Sequence, residues 1–330
     1  MINSKTVMIN LFRMIFCGLF LLVAQGAAAS IQYADTIRFR FATVEEAQTL
    51  LGSDDAFTRG WSEFDIHSRL QKTTGTKAEL IAFKQREVRA WTEQEKQLIW
   101  QDMLALNQII RNEGYRLPLP DEVVLVKSTM KDEGDAGGYT QANWIALSDE
   151  WIKQANEKGR RTLLLHELSH ILTRNSADYK KNLYAALGFS IAPNGMEYPA
   201  ELLKARISNP DIAAYDSYGP FTVKGGKVEQ CAMYLYADRP YTGGIFFEYV
   251  KVAFVPYDKE MKAKRDADGK VIVYGMEDIE DFAQRVGKNT NYIIHPEEIL
   301  AENFVLAFLD TPNVPTPALK ERVRKVLFLR

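Results

Sequence analysis

Cysteine and histidine are scarce in this chain of 330 residues: two cysteines, Cys17 and Cys231, and four histidines. Cys17 sits in an N-terminal apolar run, so no disulfide framework can be drawn and the fold must rest on its core. Cys231, in Cys231-Ala232-Met233-Tyr234-Leu235-Tyr236, reads as a buried strand residue. An excess of charge of one sign is also missing. The net charge of −2 offers neither a basic surface for nucleic acid nor an acidic tail. No internal repeat or low-complexity tract occurs. Beyond residues 15–24 no long apolar run exists, and that one is shorter than the roughly 20 residues of a comfortable membrane span.

That run has the layout of a secretory signal. Lys5 and Arg13 come before it, and Ala27-Ala28-Ala29 ends the segment with small residues. The expectation is a signal peptide over residues 1–29, a periplasmic or secreted protein, and no stable membrane span once the signal is removed.

Helix starts are written at Thr43-Val44-Glu45-Glu46 and Thr92-Glu93-Gln94-Glu95, both as capping boxes. They define a helical N-terminal region over residues 30–115. Residues 122–127 and 142–148 then read as strands separated by a Gly-rich loop, Gly134-Asp135-Ala136-Gly137-Gly138. Helices are expected over 149–158 and 161–173, strands over 230–236, 245–255 and 270–274, and helices again over 277–286, 296–309 and 317–329. Asp266-Ala267-Asp268-Gly269-Lys270 reads as a hairpin turn. The aromatics Tyr241, Phe246, Phe247 and Tyr249 read as strand core.

The chemistry sits in Leu165-His166-Glu167-Leu168-Ser169-His170. Two histidines four apart on a helix project from one face in consecutive turns and can share one zinc ion. Glu167, one step around, can reach a water on that metal as general base. A structural zinc site would need a fourth protein ligand, for which Cys231 is the only cysteine available, so a catalytic site with three protein ligands fits better. The expected substrate-pairing edge strand is 143–148. His67 has no evident partner.

The third ligand is open at this level. Residues 171–176 lack the Gly and third His of a three-histidine site. His295-Pro296-Glu297-Glu298-Ile299-Leu300-Ala301-Glu302 opens a helix with proline in its first turn, and Glu298 and Glu302 share a face. One could bind the metal while the other holds a histidine's second nitrogen. Glu201 is a rival, and Asp216 a weaker one, loosely similar to the aspartate segment of aspzincins.

The motif and this second helix resemble the gluzincins, the thermolysin-type zinc peptidases. The segment Glu298-Ile299-Leu300-Ala301-Glu302-Asn303-Phe304 is similar to the glutamate helix of the anthrax lethal factor catalytic domain. The resemblance implies Glu298 as zinc ligand, Glu302 behind it, and an upstream tyrosine, here Tyr292, as oxyanion stabiliser, with His295 as its rival. It implies an α+β, zincin-like domain over residues 116–330, with mixed sheet, active-site helix and glutamate helix. Between His170 and Glu298 lie 127 residues, which points to a β-rich insertion at about 185–275. The expected function is that of a zinc-dependent endopeptidase acting on peptide or protein. A cell-wall peptide amidase using the same site and a non-catalytic, metal-stabilised envelope protein are the alternatives.

Overall fold

The computed structural model describes residues 33–328 other than residue 245; the expected signal segment lies outside them. Four strands make a first sheet: β1 (Phe39–Phe41), β2 (Val123–Ser128), β3 (Gly138–Gln141) and β4 (Trp144–Ser148), in spatial order β1-β2-β4-β3. The pairs β1–β2 and β2–β4 are parallel, while β3 runs antiparallel to β4 and forms one edge.

Helices α1 (Val44–Leu51), α2 (Ala56–Arg59), α3 (Glu63–Leu70), α4 (Lys77–Glu87) and α5 (Glu93–Glu113) precede β2. Helices α6 (Asp149–Gln154), α7 (Glu157–Asn175) and α8 (Ala177–Leu187) follow β4. Leu125, Ile145 and Leu147 pack against Met103 and Leu106 of α5 and Leu164 and Leu168 of α7. Val124, Val126 and Ala146, on the opposite face, meet Ala47 and Leu51 of α1. Covered on both sides, β2 is buried throughout, which is why Val123 to Val126 are apolar without alternation; the buried Lys127 that follows is paired with Glu95.

A second sheet follows, built from β5 (Ser190–Ile191), β6 (Ser217–Val223), β7 (Lys227–Ala237) and β8 (Val250–Pro256), antiparallel and in chain order. β6 alternates buried and half-buried positions, as a sheet covered on one face should. Cys231 lies in β7 with no exposure, and burial pushes its thiol up to about 12, so it is inert. Helices α9 (Ala200–Leu203), α10 (Phe282–Val286), α11 (Pro296–Phe308) and α12 (Pro317–Val326) complete the described chain, and the described residues belong to one compact unit. No helix among the described residues is long and apolar enough to cross a membrane.

The mixed α and β content agrees with an α+β reading, with several local corrections. The edge strand is β3, not residues 143–148: Gly138-Tyr139-Thr140-Gln141 is short and carries no apolar run to mark it as a strand, and only its pairing shows that β4 lies between β2 and β3. The N-terminal region is not helical throughout, since its β1 joins the first sheet. Thr43 caps α1 by accepting the Glu46 N–H, but Glu46 turns to Arg40 instead of closing the box, whereas the Thr92–Glu95 box is complete. Residues 246–249 form a 3₁₀ turn before β8 starts. Residues 270–274 hold only isolated bridges, and the helix expected over 277–286 is split into a 3₁₀ turn and the short α10. In the last two cases neighbouring segments take the backbone hydrogen bonds: Tyr274 exchanges both with Phe254, and Glu280 donates to Thr222.

Candidate metal centre

α7 begins at Asn156, whose side chain accepts the Gly159 N–H at 2.9 Å. From His166 to Thr173 every residue is buried. A helix with one apolar stripe would leave its other face in water. Here α11 lies on that face, so the polar groups of both helices must be hydrogen-bonded or bind a ligand.

α11 opens at His295, whose Nδ1 accepts the Glu297 N–H at 3.1 Å, with Pro296 in the first turn. Burial lowers the His295 pKa to about 4, which keeps the ring neutral and able to accept. The next two residues face the histidines of α7. Glu298 places Oε2 3.1 Å from His166 Nε2 and 3.6 Å from His170 Nε2. The ligand atoms of His166, His170 and Glu298 all lie within 4.8 Å of one another.

The opposite ring nitrogens are held. His166 Nδ1 is 3.0 Å from Glu302 Oε1, and His170 Nδ1 is 3.1 Å from Glu297 Oε1. An Nδ1–H donated to each carboxylate would leave both Nε2 lone pairs free for a metal held beside Glu298. Glu297 is anchored in turn by Thr173 Oγ1 at 2.6 Å and by the Tyr184 hydroxyl. Burial opposes its charge, but these donors and His170 hold its carboxyl down at about 2. The Asn209 amide donates to Glu298 Oε1, leaving Oε2 for the centre.

Two observations test whether zinc fits. His170 Nε2 is buried and has no hydrogen-bond partner, a costly state that a metal would relieve. Tetrahedral zinc with bonds of about 2.0–2.1 Å sets its ligand atoms about 3.4 Å apart, and the observed 3.1 and 3.6 Å bracket that edge. Two imidazoles and one carboxylate are a donor set typical of zinc with an open position.

No protein-family model, no curated protein and no solved structure matches this chain. What the site can do therefore follows from its own geometry.

Glu167 stands beside the centre and accepts the Thr140 hydroxyl of β3 at 2.7 Å. Burial, then the nearby Asp211 charge, raises its pKa to about 7, a value suited to proton transfer near neutrality. The Tyr292 ring centroid is 6.2 Å from that of His166. The Tyr292 ring is partly exposed, but desolvation around its hydroxyl and the charges of Glu298, Asp211, Glu167 and Glu302 hold its pKa well above the usual value, so the hydroxyl stays a donor.

The structure brings together His166, Glu167, His170, Tyr292, Glu298 and Glu302 and leaves the rivals elsewhere. Glu201 is half-exposed and paired with Arg265 at 2.7 Å; Asp216 is paired with Lys180 at 2.6 Å. His295 serves as helix cap, and His67 lies on α3 in none of the metal-competent groups among the described residues. Sequence reasoning missed Glu297, Asn209, Thr140 and Asp211. The adjacent carboxylates of Glu297 and Glu298 were a usable signal for the first. The others reach the site from separate segments and carry no local signature. Phe246 and Phe247, expected in a strand core, instead line a cavity of about 270 Å³ beside Tyr292 and Asp211.

Proposed function

We propose that this protein is an exported, zinc-dependent peptidase of gluzincin type with a zincin-like catalytic unit. The observation that carries the reading is the convergence of His166, His170 and Glu298 around a buried, unpartnered His170 Nε2, with Glu167 alongside. The antiparallel edge strand β3, tied to the active-site helix through Thr140 and Glu167, supports the fold reading.

His166, His170 and Glu298 would hold zinc, which when bound supplies Lewis acidity and lowers the pKa of a coordinated water to about 7. Glu167, fixed by Thr140, takes the proton of the attacking water and returns it to the leaving amine. Tyr292 donates toward the oxygen of the carbonyl under attack. Glu302 and Glu297 orient the two imidazoles and keep their Nε2 atoms unprotonated.

Replacing Glu167 by Gln tests the reading. Zinc stoichiometry should be retained while peptide hydrolysis falls about 10²-fold or more, the range for loss of a general base. Full activity in that variant, or a purified protein that takes up no zinc, defeats the proposal.

A further inference from the structure

The register of β3 determines how far an extended chain can run along it. Ser148 N–H donates to Gly137 O at 2.9 Å, so Gly137 and Ser148 are a hydrogen-bonded pair of the antiparallel ladder. By the alternation of such ladders, Gly138 and Thr140 turn their N–H and C=O groups to the free edge. One of those groups is already taken: Thr140 N–H donates to Asp211 Oδ1 at 2.6 Å. Asp211 thus stands where a substrate strand would place its next carbonyl.

Asp211 is held there rigidly. Asp65 accepts both the Ser208 N–H and the Ser208 hydroxyl at 2.8 Å, and the Arg69 guanidinium donates to Ser208 O at 2.6 Å. Arg174 donates to Pro210 O at 2.7 Å, and Asn209 Oδ1 accepts the Asp211 N–H at 2.8 Å. Asp211 is 8 % exposed, and its carboxylate lies within 4.8 Å of the ligand atoms of both Glu167 and His170. Oδ1 is used by Thr140, and Oδ2 has no hydrogen-bond partner among the described residues. No side-chain cation forms a salt bridge with it there either. A buried carboxylate with a free oxygen and no cation in direct contact is costly unless a ligand supplies one.

The space beside it is shaped for an apolar group. The cavity of about 270 Å³ that Asp211 and Tyr292 line is walled by Tyr139, Ile207, Leu235, Phe246, Phe247 and Val250. Arg69 and Glu133, which also reach it, are paired with each other at 3.0 Å and offer no net charge.

Resting on the peptidase reading above, we infer that this protein is an aminopeptidase: Asp211 binds the free α-ammonium group of a peptide's first residue, and the apolar cavity takes that residue's side chain. The carboxylate ends the cleft one residue beyond the reacting carbonyl and supplies the charge partner of the amine. The bond cleaved is then the first peptide bond. Water adds as hydroxyl to the carbonyl carbon and as proton to the departing amine, releasing one amino acid and a peptide shortened by one residue.

Zinc-loaded protein is titrated calorimetrically with phenylalanine hydroxamate and with its N-acetyl derivative, whose amine is acylated and uncharged. The free amine should bind at least tenfold more tightly, and Asp211→Asn should remove that difference while leaving the acetylated ligand unchanged. Peptide digests followed by mass spectrometry should show stepwise loss of N-terminal apolar residues and none from acetylated peptides. Equal binding of the two hydroxamates, or cleavage at internal bonds, overturns the inference while leaving the peptidase reading intact. Two zinc ions per chain, falling to one in Asp211→Asn, overturns it as well, because Asp211 would then be a metal ligand. Failure to bind zinc or either hydroxamate takes down both readings together, and the comparison of the two ligands on the unaltered protein does not depend on the variant folding.

Discussion

Glu297 and Glu298 are neighbours on α11 with different duties, and the difference comes from what surrounds each. Glu298 meets two Nε2 atoms and one amide, so its Oε2 is directed at the centre. Glu297 meets an Nδ1 and two hydroxyls, so it fixes a ring. Glu297→Gln should therefore weaken zinc affinity about 10- to 100-fold, as loss of such an orienting partner does. Competition against a chromophoric chelator measures this. Glu201→Gln, far from the centre, should leave the affinity unchanged, and a loss there would reinstate the rival ligand.

At the scale of elements, the decisive relation is that of β3 to α7. Gly138 has no side chain, and a Cβ there would lie 3.0 Å from Ala146 O and 3.2 Å from Glu167 Oε1. The backbone oxygen cannot move cheaply, so Glu167 must. Gly138→Val should lower the rate of hydrolysis at least tenfold while zinc content, read by atomic emission, stays at the level of the parent. Loss of zinc together with activity would show instead that the sheet edge supports the ligands. α5 offers a simpler check of local physics. Thr92 and Glu95 close its capping box, and Thr92→Ala should cost about 1 kcal/mol in a urea titration with no change in metal binding.

On the scale of the whole molecule, a buried charge network joins the N-terminal helices to the site. Lys84 pairs with Asp132 at 2.7 Å and Glu133 at 2.9 Å, and Arg69 pairs with Asp65 and Glu133. Asp65 and Arg69 also hold Ser208, at the root of the loop that carries Asn209 and Asp211. The N-terminal region thus sets the geometry of the centre although it contributes no ligand. Lys84→Met leaves Asp132 buried without its cation and Glu133 with Arg69 alone, and should cost about 3–5 kcal/mol in the unfolding free energy. An acid-sensitive link lies in the second sheet. Burial disfavours the Glu229 charge, but Lys227 and Lys264 outweigh it and hold the pKa below its usual value. A lowered carboxylate pKa stabilises the fold above the unfolded value and loses that stabilisation as pH falls through the folded one. The melting temperature should therefore decline below about pH 4, and Glu229→Gln should show a shallower decline.

Much of this protein was legible without coordinates because it depends on local spacing. The helix holding His166, Glu167 and His170, the proline start of α11 with Glu298 and Glu302, the buried character of Cys231 and the capped start of α5 all follow from residues within a few positions of one another. What stayed hidden depends on pairing across long distances in the chain. Whether β3 or β4 forms the edge is a matter of hydrogen-bond partners, which lie outside either short segment. Glu297, Asn209, Thr140 and Asp211 acquire their roles only when α11, the loop at 208–211 and β3 close on α7. Helical periodicity alone places His166, Glu167 and His170 together on one helix, because residues one and four apart lie on adjoining faces. Tertiary structure decided which of the candidate carboxylates lie against the histidines, because that depends on segments brought together by burial rather than by sequence proximity.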